Sequence, residues 1–261
     1  MTDVVRSPAA RFGASASLLM MGWLSAVLWL DRAGGDGSIW LQRGLGLLTW
    51  GVLLVALRRV SPTVRAQTAV VVVFATLVEY VFSPTLHVYE YRFDNVPMYV
   101  PPGHGLVYLS AFALGHAAFV QRRLRAAEAL VVLVGGAWAA YGLLAADRPD
   151  ALGAFWYLCL VGFLVWGPSK QVYVGAFVVV SWLEVLGTGL GTWVWGTHDF
   201  TGWVTIGNPP SGAAGGYGWF DLAGLLLAPY LVRRFSRSAP EPAPGPPRPP
   251  AAEAAEGAGV H

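Results

Sequence analysis

The sequence predicts an all-α integral membrane protein of about eight transmembrane helices, built as two parallel four-helix repeats. Three observations lead there. The 261-residue chain is 55% hydrophobic and 12% charged, with a mean hydropathy of +0.52, whereas an ordinary soluble domain is roughly 25% charged. Its apolar residues fall into runs of the length a bilayer core demands, about 20 residues per helix. Its cationic residues gather at every second boundary between those runs, the pattern of short cytoplasmic loops.

The expected helices run approximately Ala14 to Leu30, Leu41 to Leu57, Ala66 to Phe82, Gly103 to Val120, Glu128 to Ala146, Ala154 to Gly167, Val172 to Leu190 and Gly216 to Val232. The sixth is the shortest, and Trp156 supplies it with an interfacial anchor. Arg6 and Arg11 precede the first helix, and the first is read as retained because no small-x-small cleavage site follows it. Arg58, Arg59 and Arg65 follow the second, Arg122, Arg123 and Arg125 the fourth, Lys170 the sixth, and Arg233, Arg234 and Arg237 the eighth. The opposite loops hold Asp31, Asp36, Glu90, Asp94, Asp147, Asp150 and Asp199, with Arg32, Arg43, Arg92 and Arg148 beside them. Both termini are therefore expected in the cytoplasm, which requires an even number of spans. Lys170 is the single lysine, and a composition this rich in Arg, Ala, Gly and Pro suggests a GC-rich bacterial genome, so the expected location is the bacterial cytoplasmic (inner) membrane. Residues 1–126 form the first half, 127–235 the second, and 236–261 a Pro- and Ala-rich tail that cannot bury a core and is expected to be disordered.

Composition also limits partners. Twelve Trp and ten Tyr suit aromatic belts at a membrane boundary, so the bilayer itself is the first partner. A net charge of +2 is too small to suggest nucleic acid. Cys159 is alone, which leaves neither a disulfide framework nor a cysteine metal site.

The two halves share a pattern. "LVEYVFSPTLHVYEY", residues 77–91, and "WLEVLGTGLGTWVWG", residues 182–196, each carry a helical Glu followed by an aromatic-x-aromatic. Tyr89 and Tyr91 form that element in the first, Trp193 and Trp195 in the second. A Pro-Pro element follows each, "VPPGHG" from Val100 and "NPPSGAAGG" from Asn208. Counted from the expected helix starts, Glu79 and Glu184 both lie roughly 18 to 20 Å along a core of about 30 Å. A carboxyl group in hydrocarbon costs several kcal/mol unless it faces a partner or water, so two at one depth mark a site. The alternative is that each glutamate only locks packing through a neighbouring Trp, Tyr or Ser. The outward loops then form lids over the pair, stiffened by the prolines. Asp221, early in the last helix, is a third acid on the same side.

Other candidates are weaker. His104, at the mouth of the fourth helix, is placed to exchange a proton with Glu79. His87 and Glu90, with His104, offer metal-type atoms without a metal-type spacing, so no metal is assigned. Arg92 and Asp94 read as a surface ion pair, His198 and Asp199 as a loop tip, and His116 as a packing residue. No phosphate-binding Gly-rich loop, H-E-x-x-H or G-x-S-x-G element occurs, which disfavours ATP hydrolysis, zinc proteolysis and a serine-hydrolase elbow. No cofactor is implied.

The order Glu, Gly-Thr-Gly, Gly-x-aromatic-x-aromatic in "LEVLGTGLGTWVWG", Leu183 to Gly196, resembles a motif of the membrane-embedded carotenoid cyclases and hydratases of the lycopene-cyclase type. The resemblance spans about fourteen residues, with an echo at Glu79, and the loops "VPPGHG" and "IGNPPSG" depart from it. It implies an apolar lipid or isoprenoid ligand, with Glu184 as the motif's acid and Trp193 and Trp195 as its aromatic pair. Three readings stay open: an enzyme in which Glu79, Glu184, His104 and Asp221 handle protons and Tyr89, Tyr91, Trp193, Trp195 and Asn208 bind substrate; a small-molecule transporter; and a noncatalytic membrane partner protein.

Overall fold

The computed structural model describes residues 13–237, and they are mostly helical. The elements are α1 Ala14–Leu30, α2 Ile39–Leu57, α3 Pro62–Phe82, β1 Tyr89–Tyr91, α4 Val100–Gly115, α5 Ala118–Arg122, α6 Leu124–Leu144, α7 Ala151–Trp166, α8 Lys170–Gly189, β2 Trp193–Trp195 and α9 Ala213–Arg237. Local chemistry sets several boundaries. Ser38 and Ser61 cap α2 and α3 by accepting from the backbone N–H three residues on, and Pro62 occupies the first turn of α3, where a missing N–H costs nothing. Asp150 caps α7 by accepting from the Gly153 N–H at 2.9 Å.

Helices α2, α3, α6 and α8 are long and apolar enough to cross a membrane, and α1 and α7 are shorter apolar helices. Leu18, Leu47, Leu77, Leu130, Leu133 and Leu158 stand more than half exposed on the outward faces. So much apolar surface on one chain marks a membrane protein.

Four helices form the inner layer. Helix α3 packs on α9 and α4 on α8, while α3 also meets α4 and α8 meets α9. Helix α1 lies against α4 and α8, α2 against α4, α7 against α9, and α6 against α7 and α8. Helix α4 is buried on every side, with only Pro101 and Leu114 partly open. Small residues permit the close approaches, as in many membrane bundles. A Cβ on Gly115 would fall on the Gln171 carbonyl and one on Gly175 on the Ala111 carbonyl, so α4 and α8 touch backbone to backbone; Gly215 of α9 meets the Trp156 carbonyl of α7 in the same way.

Each expected run contains a helix, and two ends depart furthest from expectation. The fourth stops at Gly115, pressed onto the α8 backbone, and the chain turns through His116 and Ala117 into the short α5. The last continues to Arg237, two residues into the expected tail; the rest of that tail, Arg6 and Arg11 lie outside the described residues.

The strands are the unexpected elements. β1 and β2 follow α3 and α8 and pair antiparallel, with Tyr89 opposite Trp195, Glu90 opposite Val194 and Tyr91 opposite Trp193. Alternation along a strand sends the four aromatic rings inward and leaves Glu90 and Val194 exposed. This ribbon joins the two halves and roofs one end of the inner layer.

Candidate functional site

Beneath the ribbon lies a cavity of about 220 Å³. Glu79 and Glu184 line it, both almost fully buried at 5% and 2% exposure. Glu79 stands three residues before the end of α3 and Glu184 five before the end of α8. Counted from their helix starts both lie further along than expected, because α3 begins at Pro62 rather than Ala66 and α8 at Lys170 rather than Val172.

The two carboxylates have matching surroundings. Tyr89 and Tyr91 donate their hydroxyls to Glu79 Oε2, each at 2.9 Å. Trp193 and Trp195 donate their indole N–H groups to Glu184 Oε2, each at 3.1 Å. The second oxygen of each acid meets the helix that follows its strand. His104 Nε2 lies 2.7 Å from Glu79 Oε1, and Tyr217 donates to Glu184 Oε1 at 3.3 Å. His104 is the fourth residue after the start of α4, and Tyr217 the fourth after the start of α9. Their rings lean together, with centroids 5.2 Å apart, and Phe220 sets its edge against both.

Local sequence explains how the donors arrive. A Cβ on Gly187, one turn past Glu184, would fall inside the Trp193 ring, so only glycine lets that indole lie against α8 and reach the carboxylate. The chain then turns at Gly191, whose φ of +64 is left-handed. In the first half His87 takes that place with φ +49. The residue before each strand donates back to a carbonyl three residues past the acid, Val88 to Phe82 and Thr192 to Gly187, both at 2.9 Å.

The ribbon is held down by arginines. Arg92 does not pair with Asp94. It lies 3.8 Å from the buried Asp31 and donates to the carbonyls of Arg32 and Gly35 in the α1–α2 loop, each at 2.7 Å. Burial pushes the Asp31 carboxyl up, more than hydrogen bonds from Tyr99 and Gln42 and the charge of Arg92 bring it down. Arg148 donates to the carbonyls of Trp195, Gly196 and Ile206 on the other side. Asp150 accepts from the N–H groups of Gly207 and Ser211, at 2.8 and 2.6 Å, and fixes the loop that enters α9.

The cavity wall beyond these groups is apolar: Leu24, Val27, Phe74, Val78, Val107 and Phe220 are representative. Of the residues expected at the site, Glu79, Glu184, His104, Tyr89, Tyr91, Trp193 and Trp195 all reach it. Asn208 does not line it; its carboxamide oxygen accepts from the Trp195 N–H at 3.1 Å and positions β2. Asp221 lies one turn beyond Tyr217 and is likewise absent from the lining. His87 and Glu90 pair with each other at 3.2 Å on the exposed face of β1, away from His104. His116 stacks on Phe112, and Asp199 closes its own loop through Thr201, Trp203 and Val204.

Tyr217 is the carboxylate partner that the sequence did not reveal. In α4 the Pro-Pro pair lies inside the first turn, whereas in α9 it precedes the helix, so aligning the prolines puts His104 and Tyr217 out of register. Counting from the helix starts would have matched them. No family model, curated protein or solved structure matches the chain.

Proposed function

We propose that this protein is an enzyme of the bacterial cytoplasmic membrane that adds and removes protons on an apolar lipid or isoprenoid substrate. The observation that carries the reading is the placement of two buried carboxylates, each tied to three aromatic donors, at one end of an otherwise apolar cavity. A site built for a polar solute would line its walls with further donors and acceptors, and this one is lined by aliphatic and aromatic side chains. At about 220 Å³ the cavity exceeds the roughly 150 Å³ that holds a benzene ring. It suits one end of a long apolar molecule, whose remainder lies in the bilayer.

The two acids take different roles. Glu79, paired with His104, has a partner that itself accepts and donates protons, and it serves as the acid/base group. Glu184, held by neutral Trp and Tyr donors, is the second proton-handling group and, once it has given up its proton, the counter-charge to a developing carbocation. Tyr89, Tyr91, Trp193 and Trp195 line the cavity, and an aromatic face turned to a desolvated cation is worth roughly 0.5 to 2 kcal/mol. The resemblance of "LEVLGTGLGTWVWG" to the carotenoid cyclases and hydratases agrees with this chemistry.

Eight helices, α1 to α4 and α6 to α9, span the membrane in this reading, with both termini cytoplasmic and the ribbon outward. The positive charge after every even-numbered span supports that orientation. Arg32 over Trp29 and Arg43 over Trp40 at the ribbon end, and Arg233 over Tyr230 at the other, set a cation on an aromatic ring at each end of the spans. The shared surroundings of Glu79 and Glu184 support two halves related by a parallel repeat.

The test is mass-spectrometric profiling of lipids and pigments from cells lacking the protein, complemented with wild type or with a Glu79→Gln, Glu184→Gln double variant. One apolar species should accumulate in the deletion, and only wild type should remove it. Identical profiles in all strains, with the variant inserted normally, would remove the enzyme reading in favour of transport or partner binding.

A further inference from the structure

Asp221 is 5% exposed, lies outside the cavity, and its Oδ2 has no hydrogen-bond partner. A buried carboxyl oxygen left bare is costly and calls for a water or a proton. The hydroxyl of Tyr173 in α8 is equally buried and equally without a partner. Phe163, stacked on Tyr173 with ring centroids 5.1 Å apart, also meets Gly218, about one turn before Asp221 on α9, and Tyr108 lies one turn past His104 on α4. Tyr108 in turn donates to Gln67 Oε1 of α3 at 2.9 Å. Each inner helix thus contributes one of these four polar groups.

The four residues form the lower continuation of the site. Asp221 follows Tyr217 by four residues on α9, and Tyr108 follows His104 by four on α4, so each lies on the same face about one 5.4 Å turn further from the ribbon. Gln67 and Tyr173 stand five and three residues into α3 and α8, at the opposite end of the bundle. Lys170 and Glu128, 3.8 Å apart, mark that end beside Tyr173. Polar groups therefore descend from the two carboxylates toward the far membrane face.

We propose that Asp221, Tyr108, Tyr173 and Gln67, bridged by ordered water, form a proton relay between the cavity carboxylates and the membrane face where α3 and α8 begin. Only O–H bonds form and break. Asp221 Oδ2 takes a proton from water hydrogen-bonded to Tyr173 and passes one upward past Tyr217 or His104, so that one proton moves per passage. The relay rests on the reading of Glu79 and Glu184 as proton-handling groups. It accounts for two of the buried atoms without a partner, Asp221 Oδ2 and the Tyr173 hydroxyl, and it lets the cavity carboxylates recover their protonation state after each reaction.

The full-length protein in lipid nanodiscs tests this by infrared spectroscopy, where carboxyl bands are followed through a pH titration and after a switch to D2O. Glu79→Gln, Glu184→Gln and Asp221→Asn variants assign the bands. Exchange of the Glu79 and Glu184 bands should slow by about tenfold or more in Asp221→Asn and again in Tyr173→Phe. The second variant keeps the ring stacked on Phe163 and guards against an Asp221→Asn chain that fails to fold. Unchanged exchange in both overturns the relay and leaves the acid/base reading standing. Glutamate bands that neither titrate nor exchange in wild type overturn that reading as well as the relay.

Discussion

At the scale of single residues, the informative feature is how completely the two acids are satisfied. Glu79 Oε2 accepts twice and Oε1 meets His104, while Glu184 accepts from two indoles and a phenol. A glutamine fits either place. Its carbonyl can keep the two strand donors, and its NH2 can donate to neutral His104 or to the Tyr217 oxygen, which also accepts. Alanine strands three buried donors at once. Glu79→Gln should therefore cost less than about 1.5 kcal/mol, and Glu79→Ala about 3 to 5 kcal/mol. Thermal denaturation of purified protein in detergent checks the order, and equal losses would mean the hydrogen bonds do not hold the ribbon. Both glutamates, His104 and the four strand aromatics were legible in the sequence, because a charged residue inside an apolar run has few reasons to be there. Asp221 was legible as unusual but not as separate from the cavity, since its distance from the pair depends on where α9 starts.

At the scale of elements, helices were readable because membrane length and hydropathy are properties of a run, insensitive to its neighbours. The strands were not. Three residues of alternation cannot be told from a loop, and β1 and β2 pair only because α3 and α8 deliver them side by side across more than a hundred residues. Close approach was hidden for the same reason: glycines in apolar runs look alike until their neighbours are known. Gly175 lies with its backbone against Ala111, whereas Gly51 on α2 has open space around it. Gly175→Ala should push α4 from α8 and cost about 1 to 3 kcal/mol. Gly51→Ala should instead stabilise by about 0.5 to 1 kcal/mol through backbone entropy and helix propensity. A chemical-denaturation series on the two variants distinguishes them, and a neutral Gly175→Ala would mean that the α4–α8 contact is looser than described.

At the scale of the whole molecule, the ribbon and the two inner helix pairs make one closed unit. α3 crosses to α9 and α8 to α4, so each acid is completed within its own half, yet the cavity exists only where the halves meet. That arrangement constrains topology. Both acids lie beneath one roof, so in the eight-span reading proposed above the ends of α3 and α8 face one side of the membrane and the loops bearing Arg59 and Arg123 the other. With Cys159→Ser as background, Thr201→Cys at the exposed loop after β2 should react with a membrane-impermeant maleimide in intact cells. Arg59→Cys and Arg123→Cys should react only after the membrane is permeabilised. Labelling of Thr201→Cys and Arg123→Cys from the same side would break the common orientation of the two halves, and with it the geometry that lets one cavity take a carboxylate from each.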